Sequence, residues 1–218
     1  MAFVVVPLVI YTLSYIPVND GSGGDFISKM ISSQKTMLKY HSESVLSSTH
    51  PYSSTWYQWP TMIKPMLYYA ETVENGITAN ISAFGNPMIW WGGLCAFFYI
   101  MYRALKKSDR IASFIFVAAL VQYVPWIFIK RCTFIYHYFP VVPFLVLMIG
   151  YSIYHIVKGI NTWADNGKKG KVINISLVGT YVLVTLIVFA AFYPVISGNP
   201  MSVDAGKYLK WFNDWRLI

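Results

Sequence analysis

RALKKSDR at residues 103–110, IASFIFVAALVQYVPWIFI at 111–129 and then Lys130-Arg131 form the stretch that decides the fold. The middle segment runs nineteen residues without a charge. At ~1.5 Å of rise per helical residue it matches a hydrocarbon core of ~30 Å. Cations crowd both ends, where the headgroups and water can solvate them. Pro125 predicts a kink, because its ring removes one helical hydrogen bond.

The same grammar repeats outward. Apolar runs at 2–18, 83–102, 139–157 and 172–193 each end in a polar or charged connector. The run at 83–102 opens with Gly85-Asn86-Pro87, where Asn caps and Pro takes a first-turn position that needs no N–H. Residues 2–18 lack both a positive leader and a small-residue cleavage site, so they read as a span rather than a signal peptide. That span begins almost at Met1, as if cut from a longer polypeptide. Composition agrees: the 218 residues are 56% hydrophobic and 12% charged, with mean hydropathy +0.48. A soluble domain would carry roughly a quarter charged residues. The expected fold is an all-α polytopic membrane bundle of about five transmembrane helices with interfacial amphipathic helices. Its parts are a first span at 1–18, an outer-face loop at 19–86, a four-helix region at 87–193 and an interfacial tail at 194–218.

A net charge of +8 could suggest nucleic acid, but the cations cluster at span ends. Connectors 103–110 and 158–171 hold four Lys or Arg each, eight of the seventeen in 22 positions. They are the second and fourth connectors, so they share one side, which the positive-inside rule makes cytoplasmic. The N-terminus is then inside. The large loop, the Lys130-Arg131 turn and the C-terminal tail are outside.

On that outer side, residues 26–46 place Ile27, Met30, Ile31, Leu38, His41 and Val45 on one helical stripe, with Asp25 as N-cap after the glycine-rich DGSGGD turn. This predicts a helix lying in the membrane interface; a soluble amphipathic helix is the alternative. In the tail, Tyr208, Trp211, Phe212 and Trp215 follow helical spacing and read as a headgroup anchor. HPYSSTWYQWP at 50–60, followed by Lys64-Pro65, is irregular backbone rich in flat rings and hydroxyls. Such faces suit sugar C–H surfaces, and equally suit an aromatic belt; composition leaves both open. Lys130 to Pro140 brings two cations, then Tyr136, His137 and Tyr138. An Arg fork fits phosphate oxygens, while snorkelling to headgroups is the other reading. His155 reads as structural. Cys95 and Cys132 lack metal-ligand spacing, and no cofactor motif, phosphate loop or nucleophile elbow is present. Asn80-Ile81-Ser82 matches a glycosylation sequon.

HPYSSTWYQWPTMIKPMLYY, GNPMIWWGG and RCTFIYHYFPVVPF, in that order, resemble the C-terminal four-span region of the protein O-mannosyltransferases, over roughly residues 26–218. The resemblance implies a GT-C-type membrane glycosyltransferase. It would move mannose from a polyprenyl-phosphate donor to Ser or Thr of a translocated acceptor protein, with a carboxylate as general base and phosphate as leaving group. It places Arg131, Tyr136, His137 and Tyr138 near the donor phosphate, and Trp56, Trp59, His50 and Lys64 near sugar or acceptor. The family's catalytic acidic pair sits in an earlier outer loop that nothing here matches, so the catalytic residues are unknown and Glu71 and Glu74 have no claim to the role. The partners implied are membrane lipids, the lipid-linked donor, the acceptor protein and the N-terminal half of the enzyme. The outer loop is short for an inserted β-trefoil, which points to a bacterial-type enzyme of the cytoplasmic membrane. Transfer of another lipid-linked sugar, or a non-catalytic scaffold or transporter, are the competing functions. Spans two to five hold no ionisable residue in their central thirds, which counts against transport.

Overall fold

The structure, a computed structural model, describes residues 2–18, 25–74, 76–215 and 217. It divides into two compact units, one of residues 1–49 and 130–132, the other of 50–129 and 133–218.

In the first unit, α1 (Ala2–Leu13) and α2 (Phe26–Lys39) are the regular elements, and a π-helical turn at Tyr40–Ser44 follows α2. The span expected at 2–18 is shorter than its apolar run. Its helical part is 12 residues long and rises ~18 Å, less than the ~30 Å of a bilayer core. The reason is local: the Thr12 and Ser14 hydroxyls bond the carbonyls of Leu8 and Tyr11, and after the turn at Ser14-Tyr15 the chain closes a separate 3-10 turn, Ile16–Val18, instead of continuing α1. Asp25 is the N-cap of α2, but through its backbone: Lys29 N–H reaches the Asp25 carbonyl at 3.0 Å, and the carboxylate makes no capping bond. Gln34 bonds the Tyr15 phenol. No residue of α2 is buried within this unit, and Ile27, Ile31 and Leu38 stand exposed. The glycine-rich turn expected before Asp25 lies outside the described residues.

The second unit is a helical bundle. Among the described residues, four helices are long and apolar enough to cross a membrane, spanning Pro87–Lys106, Arg110–Phe128, Ile135–Trp163 and Lys168–Ser197. The molecule is an integral membrane protein. Their α-helical parts are α3 (Pro87–Lys106), α4 (Arg110–Tyr123), α5 (Val142–Trp163) and α6 (Lys168–Ser197). Asn86 caps α3 as its sequence requires, its Oδ1 accepting Met88 N–H at 2.9 Å. At Pro125 the α-helical ladder gives way to a 3-10 turn, Val124–Phe128. Phe114, Val117 and Val121 point outward, as lipid-facing side chains do. Inside, a Cβ on Gly93 would meet Leu145 Cβ at 2.6 Å, so the glycine is what lets α3 and α5 approach closely.

Where irregular loop was expected, the chain forms a hairpin. Strand β1 (Met66–Glu74) pairs antiparallel with β2 (Ile77–Ala83), and β3 (Met201–Ser202) adds to the far side of β2. Gly76, at φ +82°, supplies the left-handed turn position. The order β1-β2-β3 leaves β1 at an edge. Asn80 lies in β2 with no exposed surface, so the sequon is closed to modification in the folded chain.

The tail also departs from its expected form. Helix α7 (Val203–Leu209) stops before the tryptophans, so no helical stripe of Tyr208, Trp211, Phe212 and Trp215 exists. Trp215 turns inward instead and is fully buried against Phe84, Phe192 and Trp91. Burial of one large ring with a satisfied N–H outweighs its placement among headgroups.

Candidate functional site

One end of the bundle is built around the segment from His50 to Lys64. It carries one 3-10 turn, Trp56–Gln58, so most of its backbone groups need other partners. Ring donors provide them. Tyr123 OH bonds the Trp56 carbonyl (2.8 Å), Trp90 Nε1 the Trp59 carbonyl (2.7 Å), Trp91 Nε1 the Thr61 carbonyl (3.1 Å) and Trp215 Nε1 the Met62 carbonyl (2.7 Å). The donors come from α4, α3 and the tail, so the loop is clamped by three parts of the chain. Met62 is held fully buried at φ +55°, a conformation that costs an L-residue ~1–2 kcal/mol.

A second clamp joins this loop to the turn that enters α5. Ser54 N–H donates to the Thr133 carbonyl (2.8 Å), and Thr133 Oγ1 donates to the Ser54 carbonyl (2.7 Å). The two segments named from sequence are thereby brought together across 79 residues. Around that joint stand His50, edge-on to Phe134 at 5.1 Å, and His137, 4.2 Å from Trp126 and 4.4 Å from Tyr136. The His137 imidazole Nδ1 lies 3.1 Å from the Phe134 nitrogen and 3.0 Å from its carbonyl, which locks the ring against its own turn. Tyr136 is half-buried and stacks on Tyr68 of β1 at 6.3 Å. Burial, and next the neighbouring Tyr136, push the Tyr68 phenol up, so it stays a hydroxyl at neutral pH.

The expected site residues do not share one fate. His50, Trp56, Tyr136 and His137 are half-buried or exposed around the joint, and Lys64 is half-buried at the entrance to β1. Trp59 and Tyr138 are 1% and 4% exposed. Trp59 donates to Ser54 Oγ at 3.0 Å and stacks on His137, and Tyr138 packs on Trp90 and Tyr123. Neither can touch a ligand in this conformation, so their expected contacts with sugar and phosphate are corrected to support of the rings that can. Arg131 belongs to the first unit, half-buried, with Nη1 donating to the Cys132 carbonyl at 3.4 Å. Among the described residues no three His, Cys, Asp or Glu side chains form a metal-binding group.

Sequence reading quoted Ser54 and Tyr68 within HPYSSTWYQWPTMIKPMLYY but gave neither a role of its own, although Asn75-Gly76 is a hairpin signal a few residues beyond Tyr68. It also missed the polar cluster at the opposite, lysine-rich end. There Asp109 caps α4 through Ile111 and Ala112 N–H (3.2 and 3.1 Å), pairs with Arg103 of α3 (2.6 Å) and accepts from Tyr151 of α5 (2.9 Å). His155 stands 3.8 Å away. Desolvation raises the Asp109 pKa, but the Ala112 N–H, Arg103 and Tyr151 overcome it and hold the carboxyl at about 2.

Comparison with known proteins gives one family. Residues 26–215 match the model described as the C-terminal four TMM region of protein-O-mannosyltransferase. Dolichyl-phosphate-mannose--protein mannosyltransferase 1 of Saccharomyces cerevisiae is 24% identical over 208 residues, covering 87% of this chain and 24% of its own length. Polyprenol-phosphate-mannose--protein mannosyltransferase of Mycobacterium tuberculosis is 25% identical over 178 residues, covering 77% and 33%. The S. cerevisiae Pmt1-Pmt2 complex bound to the sugar donor superposes with a TM-score of 0.69 at 23% identity, over 88% of this chain and 27% of that one. The chain thus spans a quarter to a third of the length of these relatives.

Proposed function

This chain belongs to the protein O-mannosyltransferase family, and from that premise we propose that it forms the donor-side part of an enzyme moving mannose from polyprenyl phosphate to Ser or Thr of translocated proteins. In that reaction the bond from mannose C1 to phosphate oxygen breaks and a bond from C1 to the acceptor hydroxyl oxygen forms. The hydroxyl proton passes to a carboxylate base contributed by another part of the enzyme, and the polyprenyl phosphate leaves. The observation that carries the reading is the double hydrogen bond between Ser54 and Thr133. It fixes a loop of aromatic faces beside a turn of hydroxyl and imidazole donors, the two kinds of surface that a sugar phosphate needs.

In this reading Tyr136 and His137 bind phosphate oxygens. Arg131, five residues before Tyr136 in the chain, is the candidate to balance the negative charge that a leaving phosphate develops, because a guanidinium is a cation with a planar fork of donors. Trp56, His50 and Lys64 face sugar or acceptor. The face that carries the loop is the outer one, because Lys and Arg are densest in the connectors at the opposite end. The address is a bacterial-type cytoplasmic membrane, since residues 19–86 leave no room for an inserted β-trefoil. In the full-length enzyme, Arg131→Ala and Tyr136→Phe should each raise KM for polyprenyl-phosphate-mannose, by about a hundredfold and about tenfold, sizes expected for one charged and one neutral hydrogen bond. Unchanged donor KM and turnover in both variants would overturn the phosphate assignment.

A further inference from the structure

Strand β1 is outermost in its sheet, bonded to β2 on one side. Every residue from Tyr68 to Glu74 is exposed. Natural proteins protect such an edge with Lys, Pro, a short length or bulges, because its unpaired N–H and C=O groups are a template for another chain. Here the edge is nine residues long and holds neither Lys nor Pro; what guards it is Glu71, Glu74 and one irregularity toward each end of the pairing, which leaves its middle open. Its two register irregularities fall between Leu67 and Tyr69 and between Thr72 and Glu74. The stretch Tyr69 to Thr72 between them is in regular register. The strand also points somewhere. Its first exposed residue, Tyr68, stacks on Tyr136 of the phosphate-side turn.

We propose that β1 is the docking edge for the acceptor polypeptide, which adds to the sheet as an extended strand and is led by Tyr68 to the ring cluster at Tyr136 and His137. This rests on the transferase reading above. An extended polypeptide is the one occupant whose own backbone can satisfy the open row of donors and acceptors, as in other strand-addition complexes. Main-chain pairing also leaves alternate side chains on opposite faces, so a Ser or Thr hydroxyl can be presented toward the site whatever its neighbours are. Glu71 and Glu74 make the edge acidic, which suits an acceptor with neutral or basic flanks.

The test uses the full-length enzyme, saturating polyprenyl-phosphate-mannose and a set of Ser/Thr acceptor peptides, each N-methylated at one amide. Strand addition predicts an acceptor KM raised about tenfold at every second position on one side of the acceptor residue, with kcat unchanged. Indifferent KM values, or losses without two-residue alternation, overturn it. As a second measurement, a benzophenone side chain at Val73, 49% exposed, should capture the acceptor peptide under light. Capture of another segment of the enzyme, meaning that the edge is covered in the whole protein, also overturns it. Failure to mannosylate any Ser/Thr peptide would sink the transferase reading itself; transfer without alternation sinks only the docking edge.

Discussion

Trp215→Phe removes one buried donor and leaves the ring in place. In the structure Trp215 Nε1–H bonds the Met62 carbonyl at 2.7 Å, and both residues are fully buried. The phenyl ring keeps most of the packing against Phe84, Phe192 and Trp91. The carbonyl, however, is left unpaired where water cannot reach it, which costs ~1–3 kcal/mol. The lost benzo edge adds roughly 1 kcal/mol of cavity. Met62 also sits at φ +55°, so the loop has strain to release once its clamp goes. The opening of residues 59–63 should therefore become easier by roughly 2–4 kcal/mol, or about 30- to 800-fold. Hydrogen exchange in lipid nanodiscs reads this directly at the amides of Trp59 and Met62, which donate to Trp56 and Trp59. Trp211→Phe is the control, since Trp211 is 47% exposed. If Trp215→Phe leaves those amides within threefold of the parent, or if Trp211→Phe matches it, the clamp is not what holds the loop.

Other consequences test other parts. Gly93→Ala should destabilise the bundle by ~1–3 kcal/mol, because its Cβ would lie 2.6 Å from Leu145 Cβ, whereas Gly150→Ala, with open space around it, should be neutral or slightly stabilising; melting in detergent would rank the two. Asp109 has its pKa lowered from 3.8 to about 2. Its contribution is thus fully present above the unfolded value and is lost as pH falls through about 2. Intrinsic-rate-corrected exchange at residues 111–113 should stay flat from pH 7 to 4, and Asp109→Asn should raise it at every pH; a rise beginning at pH 5 would contradict the assignment. Thr133→Val removes the hydroxyl that bonds the Ser54 carbonyl, leaving a buried acceptor at a cost of ~1–3 kcal/mol. In the full-length enzyme its donor KM should rise while Thr180→Val, on α6, leaves it unchanged.

The membrane character, the four long helices and the family were legible in residue order alone. Each depends on short-range chemistry: uncharged runs as long as a bilayer is thick, Asn86 before Pro87, and cations at connector ends. The three quoted motifs lie in segments whose chemistry is written in consecutive residues. What residue order left open was which rings stay accessible and which pack on each other. Trp56 and Trp59 are three residues apart and read alike, yet one is half-buried at the site and the other wholly inside. That difference comes from Trp90, His137 and Trp126, which are distant in sequence. Trp215 read as an anchor until Met62, 153 residues away, offered its N–H a partner. The hairpin had a local signal in Asn75-Gly76, but an edge is defined by what does not pair with it. Burial and edges are properties of the assembled chain, because each depends on long-range neighbours that no local pattern encodes.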